Sequence, residues 1–108
     1  MKTSQSTWVD VGAESDFALD SINPVIVNNE KLIVVKCRSG LQCYVNECTH
    51  QPVPLSDFGE VVGDRLVCHA HGGQFDLHCG GKALCFPVVD DIKTRELKVV
   101  ENRVLVSG

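Results

Sequence analysis

Two short segments carry most of the chemistry available to this chain: Cys48-Thr49-His50 and, seventeen residues further on, Cys68-His69-Ala70-His71. Read as C-x-H and C-x-x-H, they offer two thiolates and two imidazoles, one of each per segment. Thiolates select zinc, copper(I) or iron-sulfur clusters, while imidazoles suit zinc or iron, so the pattern predicts a metal site with zinc and iron both in contention. Pro52 and Pro54 follow the first segment, and fixed proline φ angles reduce the entropy lost when such a loop is ordered. Gly72 and Gly73 follow the last ligand and let the backbone turn sharply and bring N–H groups close. An iron-sulfur cluster carries bridging sulfides whose charge is tuned by nearby amides, so these glycines favour a cluster over zinc.

The elements that must hold these segments are short. With 108 residues the chain is expected to form one domain, 1–108, large enough for a hydrophobic core but too small to add a separate catalytic domain. No stretch approaches the roughly 18 to 20 apolar residues of a spanning helix, and the polar start Met1 to Thr7 is unlike a secretion signal, so a soluble, cytoplasmic protein is expected. Six cysteines without an export signal argue for reduced thiols and metal ligation rather than a disulfide framework. The formal charge of -4, without basic clusters, argues against nucleic acid or an anionic membrane and leaves basic protein patches as the expected partners.

Runs of β-branched and aromatic residues between Gly, Pro, Asn and Asp predict an all-β, antiparallel domain, and helical periodicity is poor. Trp8 to Val11 is a candidate first strand, followed by an irregular stretch to Asn23 with at most one helical turn. Pro24 to Val27 and Lys31 to Cys37 flank the hairpin signal Asn28-Asn29-Glu30, and Leu41 to Asn46 follows Ser39-Gly40. Near the end, Glu96 to Val100 and Arg103 to Val106 flank Glu101-Asn102 as a terminal hairpin. Between Asn46 and Pro87 glycine and proline become frequent and four cysteines and all four histidines appear, which marks an inserted site module on a β scaffold.

Cys48-Thr49-His50 with Cys68-His69-Ala70-His71-Gly72 closely resembles the two ligand loops of Rieske [2Fe-2S] proteins. Phe75-Asp76-Leu77, Gly80 to Leu84 and Pro87 are similar to the strand, turn and covering proline loop of the soluble Rieske ferredoxins. The resemblance implies a Rieske-like antiparallel β sandwich with a small cluster-binding subdomain at about 46–87. It also implies one [2Fe-2S] cluster, with Cys48 and Cys68 on one iron and His50 and His71 on the other. High-potential members carry a disulfide between the ligand loops and a serine and tyrosine that donate to sulfur. The matching positions here are Val53 and Ala70, and Gly73 and Phe75, so all four groups are missing. Fewer donors place the expected potential toward the low end of the roughly -150 to +300 mV Rieske span.

With two ferric ions, two sulfides, two thiolates and two neutral imidazoles the oxidised centre is formally neutral, and reduction adds one negative charge. The resemblance puts the edges of His50 and His71 at the surface as an electron port, with Gln51, Pro52, Gly72 and Pro87 around it. His69 is expected to face solvent and His78 to sit on an exposed turn. Cys37, Cys43, Cys79 and Cys85 read as small buried thiols, Trp8 as a core anchor, and Asp57, Glu60, Asp64, Asp90 and Asp91 as solvated loop charges that could also steer a basic partner.

Catalysis by the chain itself is not expected. A superfamily oxygenase needs a second, mononuclear iron on an added domain, and no G-x-G-x-x-G marks a flavin or nicotinamide site. The expected function is a one-electron carrier, a monomer, between an NAD(P)H-dependent flavoprotein ferredoxin reductase and a terminal ring-hydroxylating oxygenase acting on aromatic compounds. A zinc-stabilised interaction module and a redox-sensing Rieske domain are the alternatives.

Overall fold

The computed structural model describes residues 8–49, 53–70, 72–77, 82–85 and 91–107. In chain order the elements are β1 (Trp8–Ala13), a 3-10 turn (Glu14–Asp16), β2 (Ser21–Val27), β3 (Glu30–Cys37), β4 (Gly40–Val45), α1 (Leu55–Phe58), β5 (Gly59–Val62), β6 (Arg65–Cys68), β7 (Gly73–Asp76), β8 (Lys82–Cys85), β9 (Thr94–Arg95), β10 (Leu97–Val100) and β11 (Arg103–Ser107). They form three antiparallel sheets, ordered β1-β11-β10, β2-β3-β4-β9 and β5-β6-β7-β8.

Local chemistry explains the turns. Asn28 and Asn29 both have positive φ, as do Glu101 and Asn102, and each pair forms a two-residue hairpin loop whose backbone twist matches that of the flanking strands. Asn is among the side chains that tolerate this region best. The β2 strand starts at Ser21, three residues before the Pro24 start expected from sequence. The Asn23 amide donates to the Val34 carbonyl at 3.1 Å and to Ser21 Oγ at 2.8 Å, which joins this segment to β3. Pro24 is accommodated because β2 is an edge strand.

The central sheet is buried on both faces. Leu32, Ile33, Val34 and Val35 are consecutive on β3 and none is more than 1% exposed. Side chains alternate across a strand, so Leu32 and Val34 pack with Cys43, Val27, Phe17, Val104 and Val106 under the β1-β11-β10 sheet. Ile33 and Val35 turn the other way, to Tyr44, Leu55, Val61, Leu66, Phe75 and Leu77 under the β5–β8 sheet. The arrangement is a β sandwich with the site-bearing sheet packed on its second face. Ion pairs add end-to-end ties: Arg95 grips Glu30 through Nε and Nη2 at 2.9 and 2.5 Å, and Arg103 grips Asp10 at 2.9 Å twice.

Two expectations need correction. Trp8 is not a core anchor: Val9, opposite Val106, takes the inward place, and alternation turns Trp8 outward to the half-buried rim, where Lys98 Nζ lies 4.2 Å from its ring centre. Asp64 is not a simple solvated charge either. Its carboxylate lies close enough to Cys37 to raise that thiol, and among the described residues its Oδ1 is buried without a hydrogen-bond partner.

Candidate metal centre

Each described ligand candidate sits where a strand runs out into a loop. Cys48 follows β4, and its N–H donates to the Val53 carbonyl at 3.0 Å, which closes the first loop back on itself. Asn46, two residues earlier, fastens this loop to α1: its Oδ1 accepts the Ser56 N–H and its Nδ2 donates to Ser56 Oγ, both at 2.9 Å. Cys68 ends β6, opposite Gly59 on one side and Gly73 on the other. The following turn is closed by the Gly72 N–H, which donates to the Cys68 carbonyl at 2.8 Å. Gly72 has φ +75°, the left-handed region that a residue without Cβ enters at no steric cost.

The turn after Cys68 is also tied to its neighbour. The His69 N–H donates to the Phe58 carbonyl at 2.7 Å, extending the β5–β6 ladder by one step. Beside it the chain passes from α1 into β5 through Gly59, where a Cβ would stand 2.5 Å from the Leu55 carbonyl oxygen. His69 is exposed, as expected, and its Nε2 lies 2.7 Å from Glu60 Oε1. Asp57 is exposed on α1 and Asp91 is exposed with Oδ1 accepting the Ala83 N–H at 2.8 Å, while Asp90 lies outside the described residues.

Cys48 and Cys68 are 4% and 1% exposed and belong to one apolar cluster with Leu55, Leu66, Phe75 and Leu77. Two loops far apart in sequence therefore deliver two thiols into one core, and neither thiol is in a disulfide. Cys37 and Cys43 are buried thiols as expected. Burial pushes the Cys43 thiol up to about 12, and burial, helped by the Asp64 carboxylate, raises Cys37. Both are thus poor thiolates and poor competitors for a metal. His50 and His71 lie outside the described residues, as do Gln51, Pro52, His78, Cys79 and Pro87. Among the described residues no group of three metal-ligating side chains assembles.

Phe75 is fully buried, and Val53 and Ala70 pack against the same cluster as the two thiols. These positions are apolar contacts beside Cys48 and Cys68. The donor set fits a group that needs soft anionic ligands in a largely dry pocket.

A family model for the Rieske [2Fe-2S] domain matches residues 7–100. The chain belongs to the Rieske [2Fe-2S] family. It is 33% identical over 99 residues to the ferredoxin component of the naphthalene 1,2-dioxygenase/salicylate 5-hydroxylase systems of a Ralstonia species, covering 92% of this chain and 93% of that one. The ferredoxin component of a Pseudomonas putida naphthalene 1,2-dioxygenase system is 34% identical over the same coverage. Among solved structures, the complex of reduced oxygenase and oxidized ferredoxin in carbazole 1,9a-dioxygenase contains a chain of TM-score 0.83 and 31% identity, with 94% of this chain and 93% of that chain covered. This Rieske protein therefore binds one Rieske-type [2Fe-2S] cluster and is an electron-transfer ferredoxin, not a catalytic oxygenase. No helix among the described residues is long and apolar enough to cross a membrane.

Beyond the four ligand candidates, the supports of the second loop were not legible in the sequence. The His69–Phe58 bond, the Gly59 contact and the Glu60–His69 pair all depend on β5, a four-residue strand too short to announce itself. Its only signal was Val61-Val62 beside the turn residues Gly63-Asp64.

Proposed function

We propose that Cys48 and Cys68 hold one iron of the cluster and His50 and His71 the other, on a single domain spanning 1–108 with residues 46–87 as the cluster-binding part. The observation that carries this assignment is the delivery of the two thiols, from separate loops, into one buried core. The cluster takes up and returns one electron when bound. Cys48 and Cys68 supply the two negative charges of the ligand set, and neutral His50 and His71 supply none, which keeps the oxidised site close to neutral and eases addition of an electron. Gly73 and Phe75 offer no side-chain hydroxyl to the sulfurs, so the added charge meets fewer donors and the potential lies low in the Rieske span.

The electrons come from an NAD(P)H-dependent flavoprotein ferredoxin reductase and go to a terminal oxygenase that hydroxylates aromatic rings, in the catabolism of aromatic compounds in the cytoplasm. Support comes from the relatives, which are ferredoxin components of dioxygenase systems, and from the ferredoxin–oxygenase complex. Charge supports a basic docking surface on the partner. Between Ser39 and Gly81 stand Glu47, Asp57, Glu60, Asp64 and Asp76 against one cation, Arg65, so this segment accounts for the whole formal charge of -4. An acidic ligand-bearing segment in an otherwise charge-balanced sequence favours a basic partner. The carrier is expected to act as a monomer. Reconstitution tests the role: with reductase and oxygenase fixed, product formation rises with added ferredoxin and falls with salt. Equal turnover with and without the protein would end the proposal.

A further inference from the structure

The second ligand loop is held from outside as well as inside. Cys68 carbonyl and Gly72 N–H close the turn at 2.8 Å, and the His69 N–H is bound to the Phe58 carbonyl at 2.7 Å. A third tie reaches the same residue through its side chain, because His69 Nε2 lies 2.7 Å from Glu60 Oε1. The register explains the meeting: Glu60 faces Val67, and His69 stands two residues beyond Val67 on the same face, diagonal to Glu60. Since a carboxylate only accepts, Nε2 is the donor. His69 is thus fixed at both backbone and ring, one residue after Cys68 and two before His71.

We infer that Glu60 is a positioning residue for the second ligand loop. Through the His69 ring it limits the swing of the Cys68–Gly72 turn and so holds the ligands of that loop at the cluster. The inference rests on Cys68 and His71 being ligands. Among the described residues Glu60 bonds the His69 ring and neither Cys48 nor Cys68, so its effect passes through one hydrogen bond. The pair is 60% and 59% exposed, so the effect is modest, a few-fold rather than orders of magnitude.

The test is the rate of iron release from the cluster-loaded protein to an excess of chelator, together with the EPR line width of the reduced form. Glu60→Ala and His69→Ala are each expected to release iron about 2- to 5-fold faster, with broadened lines, and the double variant is expected to be no faster than either single one. Glu60→Gln keeps an acceptor without the charge and should behave like the wild type. Wild-type release from Glu60→Ala, multiplied effects in the double variant, or a Glu60→Gln that matches Glu60→Ala would each overturn the inference. His71→Ala run in parallel separates the two readings. If the ligand assignment is wrong, that variant keeps the wild-type spectrum. If only the tether is wrong, His71→Ala loses the signal while Glu60→Ala behaves as wild type.

Discussion

Replacing Phe75 by tyrosine probes what the missing donors do to the electron affinity of the site. Phe75 is fully buried on β7, and Gly73 is the residue directly opposite Cys68. Phe75 therefore lies on the Cys68 face, one diagonal away, about 7–8 Å between backbones and within reach of an aromatic side chain. Phe75→Tyr adds a hydroxyl at the ring tip with almost no change in volume. A donor that strengthens by about 1 kcal/mol when the site gains negative charge raises a one-electron potential by about 40 mV, since tenfold in the equilibrium constant corresponds to about 59 mV. Redox titration followed by visible absorption measures this, with the variant's cluster content checked by iron analysis. A second consequence separates the mechanism from general loosening: without the cluster the new hydroxyl has no partner, so the apo-protein should lose about 1–3 kcal/mol of stability in urea. An unchanged or lowered potential in a folded, fully loaded Phe75→Tyr would refute the reasoning that absent donors keep the potential low.

Other expectations concern the scaffold. Ile33 is fully buried between the central and site-bearing sheets, so Ile33→Ala should cost about 2–5 kcal/mol in urea unfolding, and a loss below about 1 kcal/mol would contradict the doubly buried sheet. Cys43, raised by burial from 9.0 to about 12, should resist maleimide labelling in the folded protein and react on unfolding in urea. Its linkage has a definite sign. Between pH 9 and about 12 the unfolded thiol gives up its proton and the folded one keeps it, so stability falls as pH rises, by about 1.4 kcal/mol per pH unit from this group. Rapid labelling of the native protein at pH 8 would show that the site is not closed.

Much of this molecule was legible wherever local chemistry decides structure. Asn28-Asn29 and Glu101-Asn102 announced their hairpins because positive φ favours a few residue types, and the strands on either side followed from those turns. The end of β4 was legible because Pro52 and Pro54 follow it closely in the sequence and exclude a continuing strand. What escaped depends on packing at a distance. Leu32 to Val35 read as a strand, but its burial on both faces requires knowing that a third sheet covers Ile33 and Val35. Trp8 looked like a core residue by type, and only the pairing of Val9 with Val106 turns it outward. Asp64 looked like a turn carboxylate until the fold laid it against Cys37.

The most direct test of the account is a spectroscopic one on the purified, dithionite-reduced protein: iron and sulfide analysis with EPR and resolved nitrogen couplings. Two irons and two sulfides per chain are expected, with one unpaired electron and couplings from two histidine nitrogens that disappear with cluster loss in His50→Ala and His71→Ala. A colourless protein holding zinc, or an iron-sulfur signal with no nitrogen coupling, would contradict it.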